Sequence, residues 1–129
     1  THYNEMNVLS MHALIGAYQP QGYEWVDELN QVLAGNIEYF CTYAEKHWKG
    51  VAFSRPQGTY MVFLDCTEWC REHGRDIQWL LDEGARVGVG YQDGRPFHGP
   101  CHIRVNLALP LSRVKEACGR LDRYVFNAR

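Results

Sequence analysis

The segment Arg104-Val105-Asn106-Leu107-Ala108-Leu109-Pro110 reads as a short strand that carries one arginine and one asparagine among small and aliphatic residues. Side chains alternate along a strand, so Ile103, Val105, Leu107 and Leu109 are expected on one face and His102, Arg104, Asn106 and Ala108 on the other. The first set is a core face. The second raises a guanidinium fork above small neighbours, which suits a planar carboxylate held by two parallel hydrogen bonds. The competing reading pairs the arginine with a surface acid. The preceding loop favours function: residues 91–100 are rich in Gly and Pro and lead directly into the strand.

Other candidate chemistry is weaker. Gly88-x-Gly90-x3-Gly94 lacks the spacing of a phosphate-binding loop and leads into a strand rather than a helix, so these glycines read as turn formers. Cys66-x3-Cys70-x2-His73 puts three soft ligands on one helical face, without a fourth at a familiar zinc spacing, and no metal is expected. His98 and His102 flank the arginine and can approach a ligand, whereas His12 and His47 sit on helices as surface or packing residues. No nucleophile-elbow pattern is present. Trp25, Trp48, Trp69 and Trp79 fall on helical stripes or their edges and read as core.

The elements that must position the arginine are predicted from periodicity. Residues 4–18 predict a helix with apolar residues nearly all round, which calls for burial on most sides. Gln19-Pro20-Gln21-Gly22 interrupts it, and a long amphipathic helix is predicted from Tyr23 to His47, its stripe running from Trp25 through Leu29, Val32, Leu33, Ile37, Phe40, Cys41 and Ala44 to Trp48. Strands are predicted at 51–54 and 59–65. The second has apolar residues on both faces and reads as central and covered, which favours the core over the site for Tyr60. Short helices come next, one capped by Asp65 or Thr67 and carrying Trp69, another over 76–83. A strand over 86–91, the loop, the arginine strand and a last helix capped by Ser112 complete the chain. The expected class is α+β, a small mostly antiparallel sheet covered by helices with a long N-terminal helical segment.

The chain has 129 residues, 46% hydrophobic and 22% charged, with a net charge of -2. Its ten arginines and three lysines are dispersed, so no positive field gathers nucleic acid. No apolar run approaches the roughly 18 residues of a membrane span, and Thr1-His2-Tyr3-Asn4 does not read as a basic leader, so a cytoplasmic location is expected. Five cysteines, an odd number at irregular spacing, read as reduced thiols.

Three segments carry a family resemblance: residues 56–65 (Pro-Gln-Gly-Thr-Tyr-Met-Val-Phe-Leu-Asp), residues 93–97 (Asp-Gly-Arg-Pro-Phe) and residues 99–110 around Arg104. They resemble the C-terminal part of fold-type-I pyridoxal-phosphate enzymes of the class I/II aminotransferase branch, nearest to cystathionine β-lyase, or carbon-sulfur lyase, proteins of the MalY/PatB type. Asn4 to Ser10 and the helix end at Ala17-Tyr18 are similar to the stretch entering that region. The likeness spans essentially the whole chain, and Arg-x-Asn-x-Ala-x-Pro is its most specific part.

The resemblance implies that Arg104 grips the α-carboxylate of an amino-acid substrate, cystathionine or a cysteine-like or other 2-amino acid, with Tyr60, Phe97 and Asn106 as further candidates. It implies pyridoxal phosphate as the cofactor of a longer, homodimeric parent enzyme, in which the cofactor ring serves as an electron sink at Cα. Family chemistry needs a lysine that forms a Schiff base, an acid on the pyridine nitrogen and a phosphate cup. None of Lys46, Lys49 and Lys115 matches the family's lysine motif, so no catalytic or cofactor-binding residue is expected here and the isolated chain is expected to be inactive. Residues 1–20 are then a helix belonging to or bordering a large domain, and 21–129 a small C-terminal domain. The alternative is a stand-alone amino-acid-binding or interaction module without catalysis. Residues 1–18, apolar nearly all round, are expected to self-associate when nothing else covers them.

Overall fold

A computed structural model of the protein describes residues 6–128. The chain divides into two compact units, with the boundary between Val32 and Leu33. Asn4 and Glu5, part of the expected first helix, lie outside the described residues.

In the first unit, helix α1 runs Val8–Ala17, and Asn7 caps it by accepting a hydrogen bond from Ser10 N at 2.9 Å. None of its residues is buried. Helix α2 runs Pro20–His47, starting three residues earlier than predicted. Pro20, expected to interrupt helical structure, opens the helix instead. A first-turn residue needs no N–H partner, and the fixed φ of proline suits that position. Gly22 passes so close to the Ala17 carbonyl that a side chain there would collide with it.

The second unit takes in the rest of α2 and then β1 (Met61–Asp65), α3 (Thr67–His73), α4 (Ile77–Arg86), β2 (Gln92–Asp93), β3 (His102–Asn106) and α5 (Leu111–Leu121). A wider helical turn, Asp122–Phe126, continues directly from α5. The three strands form an antiparallel sheet in the order β1-β3-β2. Its buried positions, Val62, Leu64, Ile103 and Val105, join Phe40, Leu80, Val114 and Leu121 from the helices in one core. This is the α+β architecture anticipated above. Among the described residues no helix is long and apolar enough to cross a membrane.

Several sequence expectations are corrected. The central strand is β3, not β1: Val62 and Leu64 are buried, whereas Met61 and Phe63 face a pocket rather than a second covering layer. The strand expected at 51–54 reduces to one bridge between Ala52 and Asp65. The strand expected at 86–91 is absent because α4 continues to Arg86 and the chain turns at Gly88, whose φ of +75° favours glycine. Tyr91 then sends its hydroxyl to the Leu80 carbonyl instead of joining a ladder. Ser112 lies inside α5; the Pro110 carbonyl takes the cap position and accepts from Arg113 N and Val114 N. Asp65 does serve the start of α3, accepting from Thr67 N at 2.9 Å and Thr67 Oγ1 at 2.6 Å. Trp48 and Trp69 are core, as read, but Trp25 is exposed.

One buried polar residue fixes the segment that leaves β3. Asn36, only 1% exposed, donates from its side-chain nitrogen to the Leu107 carbonyl at 2.8 Å and to the Leu109 carbonyl at 2.7 Å. Those carbonyls lie beyond the end of the β3 ladder. The Leu107 carbonyl also accepts from Leu109 N at 2.9 Å, so without Asn36 it is the Leu109 carbonyl that would need another donor.

Candidate functional site

Arg104 stands in the middle of the central strand, opposite Phe63 of β1 and Gln92 of β2. Two-sided pairing holds its Cα in place, and alternation with buried Ile103 and Val105 sends its side chain away from the core. Two contacts then orient the guanidinium. Its Nη1 donates to Gln92 Oε1 at 3.1 Å, and its Cζ sits 4.5 Å from the centroid of the Phe97 ring. Together with Thr59, Met61 and Phe63, Phe97 and Arg104 line a pocket of about 400 Å³.

Among the described residues no carboxylate pairs with Arg104. Among the described residues Arg55 reaches Glu38 and Glu45, Arg71 reaches Glu68, Arg86 reaches Glu83, Arg95 reaches Asp93, and Arg113 and Arg120 share Glu116, whereas Arg75 and Arg123, like Arg104, form no salt bridge. The surface-pair reading of Arg104 therefore has no partner among the described residues. What remains is a cation with one flat face covered, one donor engaged and further donors open to an anion.

Phe97 reaches this position through close approach of its loop. Gly94 and Gly99 are both buried, and a Cβ on Gly94 would strike the His102 backbone, while one on Gly99 would strike Phe63 and His102. Gly94 N also donates to the His102 carbonyl at 2.8 Å. Gly94 is thus more than a turn former, since a side chain there would push the loop off the strand. Asp93 pins the same loop, accepting from Arg95 N and from Arg95 Nε. Those bonds hold the Asp93 carboxyl below its ordinary value, the Arg95 side chain contributing most. His98 at the loop tip takes a left-handed conformation, φ +62°.

His102 stacks on Phe63 at 4.6 Å, with its Nε2 3.9 Å from Asp65 Oδ2. Burial works to raise the Asp65 carboxyl, but the Thr67 hydrogen bonds and nearby His102 leave it below the ordinary value.

Of the residues singled out from sequence, the structure brings Arg104 and Phe97 together. Tyr60 and Asn106 are elsewhere. Tyr60 is exposed rather than core, is absent from the pocket lining, and uses its carbonyl to accept from Leu107 N. Asn106 turns back on its own chain, its Oδ1 accepting from Ala108 N at 2.8 Å. Gln92, Met61 and Phe63 were missed. A two-residue strand leaves no periodic signal, so only the pairing register reveals that Gln92 lies opposite Arg104.

No lysine lines this pocket. Lys115 lies over the Tyr39 ring, Lys46 borders a groove between α2 and α5, and Lys49 is exposed just beyond α2. The described residues of the pocket fit a carboxylate and do not fit pyridoxal phosphate, which needs an amine at its aldehyde carbon.

No protein-family model matches the chain. A Mycobacterium leprae protein named "Putative cystathionine beta-lyase" is 33% identical over 124 residues, a match that takes in 84% of this chain and 30% of that protein. The pyridoxal-phosphate-bound C-S lyase of Staphylococcus hominis superposes with a TM-score of 0.81 at 25% identity, over 94% of this chain and 32% of that one. Cystalysin from Treponema denticola, which contains pyridoxal 5'-phosphate, superposes with a TM-score of 0.77 at 22% identity, over 92% and 29%. The chain has the C-terminal-domain fold of the fold-type-I pyridoxal-phosphate enzymes. It spans about a third of the length of these relatives. Solved structures similar to this chain are of both the C-S lyase and the aminotransferase kind.

Proposed function

We propose that this chain is the substrate-carboxylate-binding part of a pyridoxal-phosphate-dependent carbon-sulfur β-lyase or class I/II aminotransferase. The observation that carries the proposal is Arg104, held by Gln92 and Phe97 and without an acidic partner among the described residues. A bidentate grip on the α-carboxylate fixes an amino acid at one end. That grip would fix how the bonds at Cα are presented to the cofactor. When bound, pyridoxal phosphate supplies an electron sink for the pair left at that carbon. Phe97 covers one face of the guanidinium and excludes water there, while Gln92 stops the fork from rotating. The complete enzyme is a cytoplasmic homodimer in this reading, and the cofactor-bearing lysine lies outside this chain.

Two measurements test it. Mixed with pyridoxal phosphate, reduced with borohydride and mapped by mass spectrometry, the chain alone is expected to give no stoichiometric adduct on any one lysine and no turnover of cystathionine. A single-lysine adduct with turnover overturns the assignment of parts. In the complete enzyme, Arg104→Ala is expected to lower kcat/KM by roughly 10²- to 10³-fold, as loss of two charge-assisted hydrogen bonds implies. An unchanged kcat/KM removes Arg104 from the site.

A second element of the proposal concerns the first unit. Leu9, Met11, Leu14 and Ile15 of α1 are all about half exposed or more. We propose that, in the isolated chain, this helix pairs with a second copy.

A further inference from the structure

We propose that Arg95 is a positioning residue for the carboxylate site, fastening to α4 the short segment whose two ends orient Arg104. The inference rests on the carboxylate reading of Arg104 given above. Gln92 reaches the guanidinium from β2, and Phe97 reaches it from the turn Arg95–Phe97, five residues on. Burial holds neither side chain there. Phe97 is 47% exposed, and Gln92 is exposed as well. Their positions therefore depend on how the backbone between them is held.

Arg95 ties that backbone in two directions. Its N–H donates to Asp93 Oδ1 at 2.9 Å and its Nε to Asp93 Oδ2 at 2.7 Å, so one carboxylate grips both the main chain and the side chain of Arg95. Asp93 directly follows Gln92 and lies opposite Ile103, in the same register that sets Gln92 opposite Arg104. The other end of the guanidinium leaves the loop: Arg95 Nη2 donates to Gln78 Oε1 on α4 at 3.0 Å. Gln78 is itself oriented one turn along the helix, its Nε2 donating to Asp82 Oδ1 at 3.0 Å. Between Arg95 and Phe97 stands Pro96, whose ring fixes φ, so a shift of Arg95 carries the Phe97 ring with it.

Arg95 acts through these neighbours and not on the ligand. It does not line the pocket, and its charge is met by Asp93. Among the described residues Arg104 is the sole charged residue in the pocket lining. Without the Arg95 side chain the turn loses its tie to α4 and one of its two bonds to Asp93. The Phe97 ring is then free to leave the guanidinium, water takes its place, and the fork spends less time aimed at a carboxylate. The cost falls on binding the substrate more than on the step that follows.

A double-mutant cycle in the complete enzyme tests this. Arg95→Ala is expected to raise KM for the amino acid roughly threefold to tenfold with kcat nearly unchanged, the scale of one lost cation–π contact and one hydrogen bond. In an Arg104→Ala background the same substitution is expected to add nothing, because its route to the substrate is gone. Nuclear magnetic resonance of this chain gives a readout without activity. The Arg104 Nε–H proton, assigned by its loss in Arg104→Ala, is shielded by the Phe97 ring and is expected to move downfield in Arg95→Ala. Arg95→Lys keeps the charge without the fork that spans Asp93 and Gln78, and is expected to give the same pattern at smaller size even where Arg95→Ala fails to fold. An unchanged KM overturns the proposal, as does an unmoved Arg104 signal. Equal penalties with and without Arg104 also overturn it, since they give Arg95 a role in the fold alone. Wild-type kcat/KM in Arg104→Ala is a separate failure, which removes the carboxylate site itself and this inference with it.

Discussion

The two halves of helix α2 make an instructive pair. They share one backbone and one apolar stripe, yet Phe40, Cys41 and Ala44 are buried while Trp25, Val26 and Val32 are exposed. The stripe from Trp25 to Trp48 has the same period throughout. Periodicity therefore specifies which face of a helix wants covering and leaves open what covers it. In the C-terminal half the cover is the core of the second unit, where Phe40 meets the Trp48 ring edge-on at 5.6 Å and Trp48 meets Phe126 at 4.6 Å. Gly35 and Asn36, poor helix formers at mid-helix, also sit in this half, and Asn36 is kept by its two long-range hydrogen bonds.

Truncating one aromatic from each half gives the largest contrast. Phe40→Ala is expected to cost about 3–5 kcal/mol of unfolding free energy, the range for deleting a buried ring. Trp25→Ala is expected to stay within about 0.5 kcal/mol. Urea denaturation followed by far-ultraviolet dichroism measures both, and equal losses would mean the two halves are equally covered. Next in size is Asn36→Ala, which leaves the Leu109 carbonyl without its donor and the Leu107 carbonyl with Leu109 N alone. About 1–3 kcal/mol is expected from the same titration. A neutral result would show that water reaches those carbonyls.

The smallest effect concerns the uncovered side chains. Sedimentation at rising concentration is expected to show reversible association of the isolated chain, weakened by Leu14→Lys in α1. A monomer at every concentration would end the pairing proposed for α1.

The site is legible in the sequence only in part, and for a physical reason. Arg104 is readable because alternation along one strand is a local property, set by the pleat. Phe97 is readable only as a member of a Gly- and Pro-rich loop near that strand. Its place over the guanidinium depends on Gly94 and Gly99 letting the loop touch His102 and Phe63. Tyr60 reads as part of a covered strand, but β1 begins at Met61 and Tyr60, just ahead of it, is exposed. Ser112 resembles a helix cap by residue type, yet the carbonyl of Pro110 occupies the position where the helix starts.

By itself, the sequence determined the class of fold, the long helix, the faces of β3 and the last helix, and an arginine on the outward face of β3. Each depends on side-chain period or side-chain chemistry, which neighbours along the chain carry with them. Tertiary structure alone decided that β3 is central, that Gln92 lies opposite Arg104, that no acid pairs with Arg104 among the described residues, and that the Cys101 carbonyl meets Cys66 N. Those are pairings between segments separated by many residues. They are set by sheet register and by which surfaces close over one another, and no local pattern encodes either.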